Sequence, residues 1–203
     1  MYSLEDGAFL IRLARATIEK YLHEGASISP PGDAPDKLKK NAGVFVTLET
    51  YPGKELRGCI GYPEPTFPLV DATCKAAVSA AVEDPRFPPL SGAELDGTLV
   101  EVTVLTPPKL IEVSSPNEYA NNIEIGRDGL IVEKGLNRGL LLPQVPVDQG
   151  WNKKEFLSYT CIKAGLMGDC WLEEDTKIYK LSGIVFTEVE PKGEIKERTL
   201  STS

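Results

Sequence analysis

The stretch Leu56-Arg57-Gly58-Cys59-Ile60-Gly61 carries the residue types best suited to chemistry in this chain. A cysteine flanked by glycines leaves the main chain open to close approach. Arg57 lies two positions before Cys59, and side chains two apart on a strand share a face. A guanidinium beside sulfur stabilises the thiolate and can hold an anionic ligand. On this reading Cys59 and Arg57 are candidate catalytic residues, and the backbone of Gly58 to Gly61 is the floor of a ligand-binding cleft. Leu56 and Ile60 are then expected to face the core, and the Cys59 pKa to lie below its ordinary value. A plain structural reading stands beside this one. Glycine in a strand often marks a bulge, and a free cysteine is often a small buried hydrophobe. The Gly58 to Gly61 spacing also lacks the Gly-Lys-Ser/Thr ending of a phosphate loop.

Asp84-Pro85-Arg86-Phe87 offers a second constellation, in which Arg86 either clamps an anion or bonds to Asp84 and fixes the turn. Glu83 and Glu101 are carboxylates available for proton transfer, but no spacing pairs them, and Glu101 on a strand otherwise faces solvent. Gln144, between Pro143 and Val145, can orient a ligand or satisfy loop carbonyls. His23 is the only histidine, and its place near the end of the first predicted helix suits the helix dipole better than catalysis. Cys161 and Cys170 are separated by eight residues, with no Cys-x-x-Cys and no histidine cluster, so no metal and no cofactor are expected. They are read as reduced, packed thiols, with a disulfide beside Trp171 as the alternative.

These residues need elements to position them. Leu10, Leu13, Ala14, Ile18, Tyr21 and Leu22 recur at helical spacing, and predict a helix over 4–24 that begins at a Ser3–Asp6 capping box and stops at Gly25. Val44 to Leu48 reads as a strand, Pro52-Gly53 as a turn, and Leu56 to Ile60 as its hairpin partner. A proline-bounded loop over 62–68 leads into an alanine-rich helix from Asp71 to Glu83. Thr98 to Thr106 alternates as a long strand. Residues 123–125 and 130–132 flank Gly126-Arg127-Asp128-Gly129 as a second hairpin, and Leu140 to Leu142 gives another short strand. A helix over Asn152 to Ala164 and a last strand over Lys177 to Val189 complete the pattern, and the polar residues from Glu190 onward are expected to fray. Hairpins without regular βαβ alternation point to an α+β fold, a mostly antiparallel sheet covered by helices. The chain is read as one domain over 1–203, with its core over 4–189 and a smaller lobe about residues 62–90 set against the main sheet across a cleft.

Composition narrows the function classes. A chain of 203 residues with 41% hydrophobic content supports one substantial core. Thirty acidic against 22 basic residues give a net charge of −8, which disfavours nucleic acid, RNA included, and anionic membrane surfaces as partners. There is no apolar run of bilayer-spanning length and no signal-like block at Met1 to Asp6, so the protein is expected in the cytoplasm with its cysteines mostly reduced.

Leu56 to Gly61 resembles the signature hexapeptide of the AMMECR family. Val44 to Leu48, Asp84 to Pro89, Glu101 to Thr106, Gly126 to Gly129, Leu142 to Val145 and Gln149-Gly150-Trp151 resemble further family blocks in the same order. The resemblance implies a two-part α/β fold with a cleft near the signature, and association with a Memo-type protein and a radical-SAM protein in microbes. It brings no assigned reaction. Two functions follow as expectations: an enzyme or enzyme subunit in a small-molecule modification pathway, with Cys59 as nucleophile or redox thiol and Arg57 holding an anion, or a binding or adaptor module whose groove at the signature breaks no bond.

Overall fold

The computed structural model describes residues 2–198. Along the chain run α1 (Leu4–Glu24), β1 (Gly43–Thr50), β2 (Leu56–Tyr62), α2 (Leu69–Val82), α3 (Gly92–Leu95), β3 (Thr98–Leu105), β4 (Lys109–Leu110) and β5 (Asp128–Lys134). There follow β6 (Asn137–Leu141), α4 (Gln144–Asp148), α5 (Lys153–Lys163), β7 (Lys177–Glu188) and β8 (Ile195–Glu197), with short 3-10 turns between some of them. The fold is α+β, and the strand pairings are antiparallel. The chain divides into two compact units, one of residues up to Leu105 together with Ile184–Arg198, the other of Thr106–Gly183.

In the first unit the strand order is β2-β1-β3-β7, with β8 on β7. Val44, Val46 and Leu48 leave one face of β1, and Val100, Val102 and Val104 the same face of β3, so that face of the sheet is apolar and buried. That face packs against Leu10, Ala14 and Ile18 of α1 and the small residues Ala72, Ala76, Ala77 and Ala80 of α2. Helix α1 begins as its sequence predicts. The Ser3 backbone N–H donates to the Asp6 carboxylate at 2.6 Å, the Asp6 N–H donates to Ser3 Oγ at 3.3 Å, and Gly25 closes the helix at φ +67°. Arg15 is buried on the same helix. Its Nε donates to Glu188 Oε1 at 2.7 Å and its Nη2 to the Thr98 carbonyl at 2.6 Å, tying helix, β3 and β7 together.

In the second unit the order is β7-β5-β6, with β4 on the outer side of β7. Helix α5 starts at Asn152, whose Oδ1 accepts from the N–H groups of Lys154 and Glu155 at 2.9 and 3.0 Å. It buries Phe156, Leu157 and Cys161 against Leu130, Val132, Ile178 and Trp171.

Four expectations are corrected or sharpened. The hairpin placed about Gly126-Arg127-Asp128-Gly129 is instead a turn that opens β5. Asp128 accepts from the Glu124 N–H at 2.9 Å, which closes the loop on itself. The partner of β5 is β6, across a turn in which Gly135 sits at φ +59°. Residues 62–90 fall within the first unit, with α2 packed on its core, and the second unit is built from later residues. Of the tail expected to fray, Ile195–Glu197 forms β8 against Phe186–Glu188, because its backbone donors and acceptors complete an open edge of β7. Residues 199–203 lie outside the described part. Cys161 and Cys170 are joined as a disulfide rather than lying as reduced thiols, since the end of α5 and the turn at Cys170–Leu172 bring their Cα atoms to 6.1 Å.

Full reduction of the Cys161–Cys170 bond is expected to lower the unfolding free energy by about 2–3 kcal/mol, the loop-closure contribution for so short a ring. Guanidinium denaturation of oxidised and reduced protein measures it, and an unchanged midpoint would remove the bond from the stability account.

Candidate functional site

The signature occupies β2, at the edge of the first unit's sheet. Gly58 is required there by contact. A Cβ at this position would sit 2.1 Å from the Ala80 carbonyl oxygen of α2, so the helix approaches the strand backbone directly. At Gly61 a Cβ would fall 2.3 Å from the Val44 carbonyl and against the Phe45 ring. The two glycines therefore seat β2 between a helix and its neighbouring strand.

The register places Cys59 opposite Thr47, and Thr47 opposite Glu101 on β3. Residues directly opposite share a face, so Cys59, Thr47 and Glu101 form a straight row across three strands, with the outer two roughly 9–10 Å apart. Thr47 Oγ1 donates to Cys59 Sγ at 3.4 Å. Glu101 is 2% exposed, against the expectation of a solvent-facing strand residue, and accepts from Arg198 Nη1 at 3.3 Å. The row lies on the face opposite the valines that meet α1 and α2.

The 84–89 loop closes on this row from one side. The Asp84 carboxylate is buried and accepts the Cys59 backbone N–H at 2.8 Å. It also accepts Arg86 Nε at 3.0 Å, Arg86 Nη2 at 2.7 Å and the Arg86 backbone N–H at 3.1 Å. Arg86 Nη2 reaches the Cys59 carbonyl at 3.3 Å. The bidentate bonds from the Arg86 guanidinium hold the Asp84 carboxyl well below the usual carboxylate range. Arg86 fixes the turn through Asp84, and its side chain is half exposed.

Arg57 does something else. The β1–β2 register slips between Leu48 and Glu49, so Arg57 occupies a bulge and the alternation expected from Leu56 to Ile60 is broken. Its guanidinium donates to Glu94 Oε1 at 3.2 and 3.3 Å and lies 5.9 Å from the centre of the Phe87 ring. Leu56 consequently points outward and is 42% exposed, while Ile60 packs on the core. The cation that acts on the thiol is Arg86. Burial pushes the Cys59 thiol above its ordinary value, the Thr47 hydroxyl and Arg86 pull it down, and Glu101 and Asp84 push it up again. The net direction is upward, opposite to the activated thiolate expected from an adjacent Arg57.

The structure thus gathers Cys59, Gly58, Gly61, Arg86 and Glu101 in one unit with Asp84, the bonding partner expected for Arg86, and adds Thr47, which the sequence reading did not single out. Thr47 could have been found from the β1–β2 hairpin register; the bond from Asp84 to the Cys59 backbone joins segments 25 residues apart and had no signal in the sequence. Gln144 belongs to the second unit, where it is buried at the start of α4. His23 sits in the last turn of α1. Among the described residues, no three His, Cys, Asp or Glu side chains are grouped to hold a metal ion. None of the helices among these residues is long and apolar enough to cross a membrane.

A family model described as AMMECR1 matches residues 11–186. The chain is similar to Protein PH0010 of Pyrococcus horikoshii, 57% identical over 199 residues covering 97% of this chain and 96% of that one. A Thermococcus onnurineus protein is 54% identical over 205 residues, 98% of this chain and 100% of its own length. The crystal structure of the uncharacterized protein PH0010 superposes with a TM-score of 0.94, over 97% of this chain and 98% of the other.

Two substitutions check the geometry. Gly58→Ala is expected to destabilise by about 1–3 kcal/mol, because the added carbon meets helix backbone that cannot rotate away; a denaturant midpoint equal to the wild type's would contradict the close approach. Asp84→Asn is expected to cost about 1–3 kcal/mol at pH 7, the range for bonds to a charged group. Since the folded carboxyl is held below its unfolded value of about 3.9, its contribution is present above that pH and fades as pH falls towards the folded value. The stability gap between wild type and variant should therefore shrink below pH 4, and a gap that does not depend on pH would refute the assignment.

Proposed function

Because the chain belongs to the AMMECR1 family, we propose that its signature segment is a ligand site of a small-molecule modification system, in which this chain binds and orients the ligand and Cys59 serves as a neutral thiol. The observation that carries this reading is the row of thiol, hydroxyl and carboxylate at Cys59, Thr47 and Glu101, beside a guanidinium already latched to Asp84. A raised thiol and the absence of a nearby histidine at the row do not supply the thiolate that nucleophilic catalysis needs. Glu101 and Thr47 give polar partners to a neutral or cationic ligand group, and Arg86 gives a donor to an anionic one. Gly58 and Gly61 keep the floor rigid, and Arg57 supports it from the bulge by holding Glu94 and Phe87. Gln144 is proposed as a ligand-orienting amide of the second unit.

The Memo-type and radical-SAM partners that the family resemblance implies fit this role, since bond-breaking chemistry then lies with the partner. A place in the cytoplasm belongs to the same proposal. The Cys161–Cys170 bond does not count against it, because heat-adapted archaea such as Pyrococcus keep disulfides inside the cell. A catalytic reading stands second, favoured by the single observation that a buried carboxylate, Glu101 paired with Arg198, shares the face of Cys59.

Two measurements separate these readings. Native mass spectrometry of protein isolated from its own cells should show a bound small molecule that is lost on Glu101→Gln or Arg86→Ala; an empty wild type, or a ligand retained by both variants, overturns the binding site. Alkylation of Cys59 should be slow at pH 7 and rise about tenfold per pH unit towards pH 9, as the thiolate fraction grows. Fast labelling that is flat between pH 6 and 8 would establish an activated thiolate and restore the catalytic reading.

A further inference from the structure

The second unit contains a cavity of about 270 Å³ whose lining includes Thr106, Lys109, Arg127, Asp128, Lys180 and Ser182. Lys109 on β4 and Lys180 on β7 are directly opposite one another in the antiparallel pairing, so their side chains leave the same face. Like charges directly opposite across strands are destabilising. This chain has 30 acidic and 22 basic residues, so a pocket with three cations and one carboxylate runs against its overall charge.

The local bonding does not neutralise the two lysines. Among the described residues, neither lysine has a carboxylate partner; Lys180 Nζ donates to the Asn122 carbonyl at 2.8 Å. The one acid of the lining, Asp128, is 2% exposed. Its carboxylate accepts from Arg127 Nε and Nη2, both at 2.8 Å, and from the Glu124 N–H at 2.9 Å. Arg127 is also paired with Glu124 at the rim. Asp128 and Glu124 therefore satisfy Arg127 and hold it in place, and the two lysines keep an uncompensated positive charge. The floor is fixed as well. The Thr106 N–H donates to the Ser182 carbonyl at 2.8 Å, and Thr106 Oγ1 accepts the Ser182 N–H at 2.8 Å, which leaves the Thr106 and Ser182 hydroxyl protons as donors.

We propose that this cavity is a binding site for a small dianionic oxyanion, and specifically for the phosphoryl group of a phosphate monoester, held by Lys109 and Lys180 with the Thr106 and Ser182 hydroxyls. Two ammonium groups match two negative charges, and hydroxyl donors suit phosphoryl oxygens. The volume admits the phosphoryl group with a short organic substituent and no polymer. This site lies wholly within the second unit and stands independently of the signature on β2.

The test is a titration of the full chain with inorganic phosphate at constant ionic strength, followed by amide chemical shifts, with chloride as the control salt. Saturable shifts confined to the neighbourhood of residues 106–109, 127–128 and 180–182 are expected, and Lys109→Thr/Lys180→Thr should weaken the affinity roughly tenfold or more. Without phosphate, Lys109→Thr alone should leave the melting temperature unchanged or raise it, because it relieves the opposed charges. Glycerol phosphate should bind at least as tightly as inorganic phosphate, and succinate more weakly. No saturable shift beyond that with chloride, undiminished binding in the lysine variants, or a preference for succinate would each overturn the proposal. Should the double variant fail to fold, the wild-type titration and the exposed Lys109→Thr variant decide the matter.

Discussion

The first unit turns on a single buried carboxylate. Asp84 receives one bond from the Cys59 backbone and three from Arg86, and so joins the 84–89 loop to β2 at the residue where the signature could act. A carboxylate taken out of water with only one partner would be costly, whereas four N–H donors, two of them from one bidentate guanidinium, make its charged form the stable one. The same bonds set the position of Arg86 and the direction of the Cys59 backbone. Gly58 adds the second constraint, because only a residue without a side chain lets α2 bring its Ala80 carbonyl so close to the strand.

Once Asp84 and Gly58 are in place, the electrostatics of the row follow. Cys59 gains a hydroxyl donor and a nearby cation, yet burial and two carboxylates outweigh them. A thiol in these surroundings stays protonated at neutral pH and offers a weak donor and a polarizable surface rather than a nucleophile. Arg57, the residue that the primary structure sets nearest, is taken away by the bulge and employed in holding Glu94 and Phe87. Binding is the use of the row that fits these facts with the fewest additions.

The second unit follows the opposite charge logic. Its α5 core is ordinary apolar packing reinforced by a disulfide, but the outer edge of β7 sets lysine against lysine in a chain with an acidic balance. Asp128 engages Arg127 and the backbone of its own turn, and leaves the lysine pair to itself. Strand pairing alone gives no reason for that arrangement, whereas an oxyanion does.

Much of the architecture was written locally. The Ser3–Asp6 box and Gly25 delimit α1, the valine alternation marks β3, and Pro52-Gly53 announces the first hairpin, because caps, turns and two-residue periodicity act between near neighbours. The order of family blocks identified the kinship for the same reason: it is a linear property of the chain. What the sequence could not carry were the facts that depend on register and on distant contacts. The bulge at Arg57 reverses a face assignment that simple alternation made reasonable. The burial of Glu101 requires strands and a C-terminal arginine far apart in the chain to meet, and the β5–β6 register and the Cys161–Cys170 bond depend on how nearby segments turn back on each other, which spacing alone leaves open. Composition determined the acidic balance, and residue order determined the α+β pattern of elements and the glycine-flanked cysteine. Only the tertiary structure decided that this cysteine lies beside Arg86 and is kept protonated, because burial and the sum of surrounding charges are properties of the folded neighbourhood and not of the spacing along the chain.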